Sequence, residues 1–167
     1  MSQRLSSAAR AYGSLEHPRI ARLHEYGVAA GEVFTAVELV PGLDLMRLVA
    51  ATHAVGEPLP PGAAIIVLAQ VARAVGYAHG RGVNHLGLCP TNVIVTPEGD
   101  VKVTDFGMLA QTMTLRPSND GRLVHRIPYL APEQLVAEST SAATAVFALG
   151  AIAHELVTGE RAFVGVS

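Results

Sequence analysis

The 167-residue sequence has no tryptophan, one cysteine (Cys89), and one lysine (Lys102) among its twelve basic residues. A single cysteine excludes a disulfide framework and a multi-cysteine zinc site. A lone thiol fits a reducing compartment, so the expected location is cytoplasmic. Charge is also scarce. Only 16% of residues are Asp, Glu, Lys or Arg, and the formal net charge is −2, which argues against a general binder of nucleic acid or of an anionic membrane. No uninterrupted apolar run reaches the roughly 18 residues of a membrane span. The nearest approach, Ala142 to Ala153, is broken by Thr144 and closed by His154-Glu155, and reads as a buried core helix. The opening MSQRLSSAARAYG lacks the apolar stretch of a signal peptide. The seven histidines show no metal-ligand spacing.

What is present is apolar material. Half the residues are hydrophobic, enough for the core of one domain or of part of a larger one. Residues 3–15 can form a short helix. Ile20–Val28, a turn at Ala29-Ala30-Gly31, and Glu32–Val40 read as a β-hairpin that Pro41-Gly42 ends. Leu43, Leu45, Met46, Leu48 and Val49 suggest a short amphipathic helix. A linker of Pro58, Pro60, Pro61 and Gly62 follows. Ala63–His79 then reads as a long apolar helix stopped at Gly80. Val93–Thr96 and Val101–Thr104 are strands of equal length joined by the turn Pro97-Glu98-Gly99-Asp100. Such a hairpin returns the chain to its start, so Asn92 and Asp105 meet at its open end. Their amide and carboxylate oxygens are hard ligands suited to Mg²⁺. A short helix at Pro132 and an apolar helix over Ser141–Thr158, ended by Gly159, complete the pattern.

The segment NHLGLCPTNVIVTPEGDVKVTDFG, residues 84–107, resembles the catalytic loop, hairpin and metal motif of a protein kinase. Leu130-Ala131-Pro132-Glu133-Gln134 resembles the family's APE motif. Val146 to Gly159 resembles the core helix of its C-lobe. Leu15-Glu16-His17-Pro18-Arg19-Ile20 resembles the stretch after its C-helix, and Phe34 to Gly42 its hinge strand. The motifs fall in kinase order, with a texture similar to bacterial Hanks-type Ser/Thr kinases. The implied fold is α+β: a mainly helical C-lobe with a remnant N-lobe β-hairpin. By the same resemblance, residues 1–167 are expected to form a partial kinase-like domain. Residues 1–40 hold the remnant N-lobe with the end of the C-helix and the hinge strand, and 41–167 an incomplete C-lobe.

Set against the family pattern, charge is missing where phosphoryl transfer needs it. In H-R-D-x-x-x-x-N the aspartate accepts the substrate hydroxyl proton. Here Gly87 holds that position, Leu86 replaces the arginine, and Cys89 stands where the loop lysine is expected. The glycine-rich loop and the N-lobe lysine have no counterpart, since Lys102 lies on a hairpin strand. Ala8 falls at the C-helix glutamate and Ala145 at the core-helix aspartate. Shape is retained: His85, Phe106, Leu23 and Tyr12 match the apolar regulatory spine. His85 is read as a packed residue and Cys89 as small filler. Thr112, Thr114 and Ser118 are exposed-loop candidates for phosphorylation.

By resemblance, the expected metal ligands are Asn92 and Asp105. The nucleotide would meet Val37 as gatekeeper, the Glu38 carbonyl, the Val40 amide, Asp44 near the ribose and Ile94 beneath adenine. ATP and Mg²⁺ binding is expected to be weak at best. The expected function is that of an inactive kinase-like module (a pseudokinase) acting in signalling through a protein partner or self-association at the uncovered core helix. The alternatives are a fragment of a working Ser/Thr kinase and a decayed remnant without function.

Overall fold

A computed structural model of the chain describes residues 3–30, 32–57, 59–106, 125–136 and 138–164. The elements run α1 (Gln3–Gly13), β1 (Leu23–Ala29), β2 (Glu32–Val37), β3 (Leu43–Asp44), α2 (Leu45–Ala54), α3 (Pro61–His79), β4 (Val93–Val95), β5 (Val101–Val103), α4 (Pro132–Leu135) and α5 (Ala142–Thr158). The fold is mixed α and β with the helices dominant, as the sequence pattern implies.

Two small sheets carry the strands. β1 and β2 form an antiparallel hairpin of their own, and β3, β4 and β5 form a three-stranded antiparallel sheet. The segment entering β1 ties the two together. Ile20 bridges Val103 in parallel, the Ala21 amide donates to the Val103 carbonyl at 2.9 Å, and the Val103 amide donates to the Arg19 carbonyl at 2.9 Å.

α3 and α5 form the floor of the molecule. Ala64, Val67, Val71, Ala74, Val75 and Ala78 recur at helical spacing and are buried. They face α5, where Ala145, Ala148, Ala151, Ile152 and Leu156 are buried. Alanines on both surfaces let the backbones approach closely. α5 starts on a capping box, in which the Ser141 hydroxyl accepts from the Ala143 amide at 3.2 Å and Thr144 Oγ1 accepts from the Ser141 amide at 3.1 Å. Gly159 ends it in the left-handed conformation at φ 76°.

Several boundaries differ from the sequence expectation. Pro61 and Gly62 belong to α3 rather than to the linker, because proline at the first helical position forfeits an amide that has no partner there in any case. β1 starts at Leu23 and β2 ends at Val37. β3 was not expected: Gly42 lies so close to β4 that a Cβ there would sit 2.2 Å from the Val95 carbonyl oxygen, and this approach lets Leu43-Asp44 pair with Val95 and Ile94. Among the described residues α3 is long and apolar enough to cross a membrane by length and composition. Its seven buried residues make it a core helix here.

Candidate functional site

The open end of the β4–β5 hairpin gathers the catalytic-loop counterpart. The Thr104 amide donates to the Asn92 carbonyl at 2.9 Å, which brings Asn92 and Asp105 side by side. Asn92 is buried and turns its Nδ2 to the Gly87 carbonyl at 3.0 Å, clamping the loop. The Thr91 hydroxyl reaches Asn92 Oδ1 at 3.4 Å and lies 3.1 Å from Cys89 Sγ. Asp105 takes a left-handed backbone, φ 62°, which aspartate tolerates better than most residues. Burial pushes its carboxyl above the usual carboxylate range, and the Arg126 guanidinium opposes that rise.

His85 is fully buried. Its Nε2 donates to the Thr104 carbonyl at 2.9 Å, and its ring centroid lies 4.6 Å from that of Phe106. Phe106 in turn meets the Tyr12 ring at 5.9 Å. The stack runs without interruption from the catalytic loop into α1. Burial lowers the His85 pKa to about 4, so the ring is neutral at pH 7 and serves packing. The Tyr12 hydroxyl has a role the spine pattern does not encode. It donates to the Ala21 carbonyl at 2.7 Å.

Where kinases concentrate charge, this loop is nearly bare. Gly87 offers no side chain. The Leu86 carbonyl accepts Gln134 Nε2 at 2.7 Å, which ties the loop to α4. Ala145 is fully buried. Cys89 is buried, and burial raises its pKa, so it is not an activated thiol. Among the described residues, Arg126 carries a charge that acts on His85, Cys89 and Asp105. One of its terminal nitrogens, Nη1, is buried without a hydrogen-bond partner. Nothing in the sequence pattern marks Arg126.

The hinge residues sit at the end of β2. Val37 and Val40 are half-buried. The Glu38 amide donates to the Arg22 carbonyl at 2.8 Å. Its side chain accepts the Arg22 amide at 3.1 Å and pairs with Lys102 at 2.5 Å. That lysine holds the Glu38 carboxyl below the usual carboxylate range. Among the described residues the Glu38 carbonyl and the Val40 amide have no hydrogen-bond partner. Ile94 is half-buried beneath Gly42, and Asp44 is its partner across β3–β4. Asp44 already has work of its own: Oδ1 accepts the Arg47 amide at 2.9 Å and caps α2, and Oδ2 lies 3.4 Å from Arg47 Nε.

The donor set fits a divalent metal poorly. It offers one carboxylate, Asp105, and one amide oxygen, Asn92 Oδ1, which Thr91 already approaches. Among the described residues no group of three or more His, Cys, Asp or Glu side chains could hold a metal. Gly107, Thr112, Thr114 and Ser118 lie outside the described residues.

Comparison with known proteins agrees with this geometry. The model of the protein kinase domain matches residues 3–167. Serine/threonine-protein kinase PknA of Mycobacterium tuberculosis is 35% identical over 168 residues, covering 98% of this chain and 38% of the relative. PrkC of Bacillus subtilis is 28% identical over 165 residues, covering 99% of this chain and 25% of the relative. A crystal structure of a mutant kinase domain of Mycobacterium tuberculosis PknI matches with a TM-score of 0.77 and 29% identity, over 97% of this chain and 59% of that one. The chain therefore spans well under half the length of these curated relatives. It belongs to the protein kinase domain family.

Proposed function

We propose that this chain is a catalytically silent kinase-like module, a pseudokinase, that acts by binding another polypeptide. The observation that carries the reading is Gly87. The position of the proton-accepting carboxylate has no side chain, and its carbonyl is taken by Asn92. A missing base costs about 10²–10⁴ in rate, and the loss deepens when the groups that position phosphate are absent too.

The binding surface is apolar. A groove of about 470 Å³ between α3 and α5 is lined by Ile65, Leu68, Ala69, Ala72, Val146, Leu149, Gly150 and Ala153. Val146 is 59% exposed and Ile65 63%, an unusual outlay of large hydrophobics for a free surface. A second copy or a partner polypeptide would cover it. The competing reading, part of a working Ser/Thr kinase, is favoured by coverage: the chain spans only 59% of the PknI kinase domain chain.

Labelled ATP with Mg²⁺ or Mn²⁺ and a generic protein substrate separates the two. The proposal expects no incorporation. Incorporation that Asp105→Ala abolishes overturns it, whereas incorporation that survives Asp105→Ala marks a contaminating kinase. Sedimentation across dilutions tests the surface. Self-association or aggregation is expected, and a well-folded 17.4 kDa monomer at tens of micromolar with a cooperative melt would contradict it.

A further inference from the structure

The groove between α3 and α5 is shaped for close approach. Four of its lining residues are small: Ala69 and Ala72 on α3, Gly150 and Ala153 on α5. Gly76 continues the α3 stripe. Gly76 and Gly150 lie inside their helices, where alanine would be the more stable residue. Apart from the helix's own backbone, a Cβ at either would have no heavy atom within 4 Å. Nothing among the described residues therefore requires glycine at these two exposed positions. Close approach by a backbone from outside would. Two adjoining helices with small side chains between them accept a third helix at about 8–10 Å, its side chains seated in the trough.

The charge beside the groove has one sign. α3 contains no Asp or Glu, and its one Lys or Arg residue is Arg73. Arg73 comes one residue after Ala72 and four after Ala69, so it stands on the same stripe of the helix. It is exposed, and among the described residues it makes no ion pair. The only acid of α5, Glu155, accepts the Tyr129 hydroxyl and lies 3.9 Å from Arg161 Nε. A second copy is poorly matched to this surface. α1, α2 and α3 hold no Asp or Glu, and the Glu155 carboxylate of α5 is engaged, so none of the longer helices offers a free carboxylate to Arg73.

We propose that this groove docks an amphipathic helix of another polypeptide, apolar on the face that enters the trough and carrying Asp or Glu beside that face to meet Arg73. This docking rests on the proposed role as a binding module and adds the chemistry of the partner.

Anisotropy of two labelled peptides, measured with the full chain, tests it. Both are roughly 18-residue amphipathic helices of leucine and alanine; one carries glutamate beside the leucine face, the other lysine at the same places. The glutamate peptide should bind with a Kd below about 100 µM, and the lysine peptide at least about tenfold more weakly. The chain as a whole carries −2, so bulk charge favours the lysine peptide and a preference for glutamate is local. Arg73→Glu should reverse the order. Ala69→Trp, which fills the groove from an exposed position, should weaken the glutamate peptide at least about tenfold. With the unmodified chain, about 1 M NaCl should close the gap between the two peptides. Equal affinities at low salt, absence of binding, or a gap that salt does not narrow overturns the proposal, whether or not the variants fold. So does a folded Arg73→Glu chain that still prefers glutamate, or a folded Ala69→Trp chain that binds as its parent does. Phosphate transfer by the chain would instead refute its silence as a kinase and leave the docking intact.

Discussion

The Tyr12 hydroxyl joins α1 to the strand entry through one oxygen. Tyr12→Phe removes that oxygen and nothing else, because the ring remains against Phe106. One backbone group then loses its partner: the buried Ala21 carbonyl, 2.7 Å from the hydroxyl. Tyr12 and Ala21 are 1% and 0% exposed, so water cannot take over at the Ala21 carbonyl. Each unsatisfied buried group costs about 1–3 kcal/mol, and relaxation recovers part of that, which gives a loss of about 2 kcal/mol. For a chain of this size that is about 4–8 °C in thermal midpoint. Burial and the Asp105 charge push the Tyr12 pKa up, so the donor is present throughout the neutral range. Urea denaturation of the parent and Tyr12→Phe chains, fitted with a common m-value, gives the difference. A loss below about 0.5 kcal/mol would mean that the hydroxyl does not hold this carbonyl. Tyr12→Ala, which also opens a cavity beside Phe106, should cost about 3–5 kcal/mol.

Other consequences can be checked with the same samples. His85 has a folded pKa of about 4, below its ordinary 6.5, so the unfolded chain binds the extra proton between those values. Stability should fall as pH drops from 6.5 towards 4, and His85→Phe should flatten that part of the curve in urea titrations. Cys89 is 1% exposed with a raised pKa, so a thiol reagent at pH 8 should label it only in denaturant; fast labelling of the native chain would contradict its burial. Gly42→Ala forces a Cβ against the Val95 carbonyl oxygen and should cost more than about 2 kcal/mol, measured by thermal melt.

Much of this architecture is legible from the sequence because it rests on local rules. The hairpin at 93–103 is announced by β-branched runs around Pro97-Glu98-Gly99-Asp100, and α5 by an apolar stretch between Ser141 and Gly159. The spine is readable because its members lie in motifs with fixed spacing. What escapes notice depends on long-range approach. β3 exists because Gly42 lets two backbones nearly touch, which no periodicity signals. Lys102 reads as an unassigned strand lysine until Glu38, 64 residues away, is folded against it. Asp44 reads as a ribose contact by family position, yet its carboxylate caps α2. Arg126 is one of eleven arginines, and only the folded chain shows its Nη1 buried without a hydrogen-bond partner.

The seam along residues 19–22 has a mechanical meaning. A cleft between two lobes admits and releases ligand by bending at its hinge, and bending requires that few bonds cross the line of motion. Here many do. Ala21 and Val103 exchange backbone bonds with the opposite half, Glu38 is clasped by Lys102 directly at the hinge, and Tyr12 pins Ala21 from behind. The β1–β2 hairpin is riveted rather than hinged. The Ala21 and Val103 amides should therefore exchange with solvent only when the whole chain unfolds, without the faster, partial opening that a breathing cleft displays. A module stitched in this way presents one fixed shape, as a scaffold does, instead of cycling between open and closed forms.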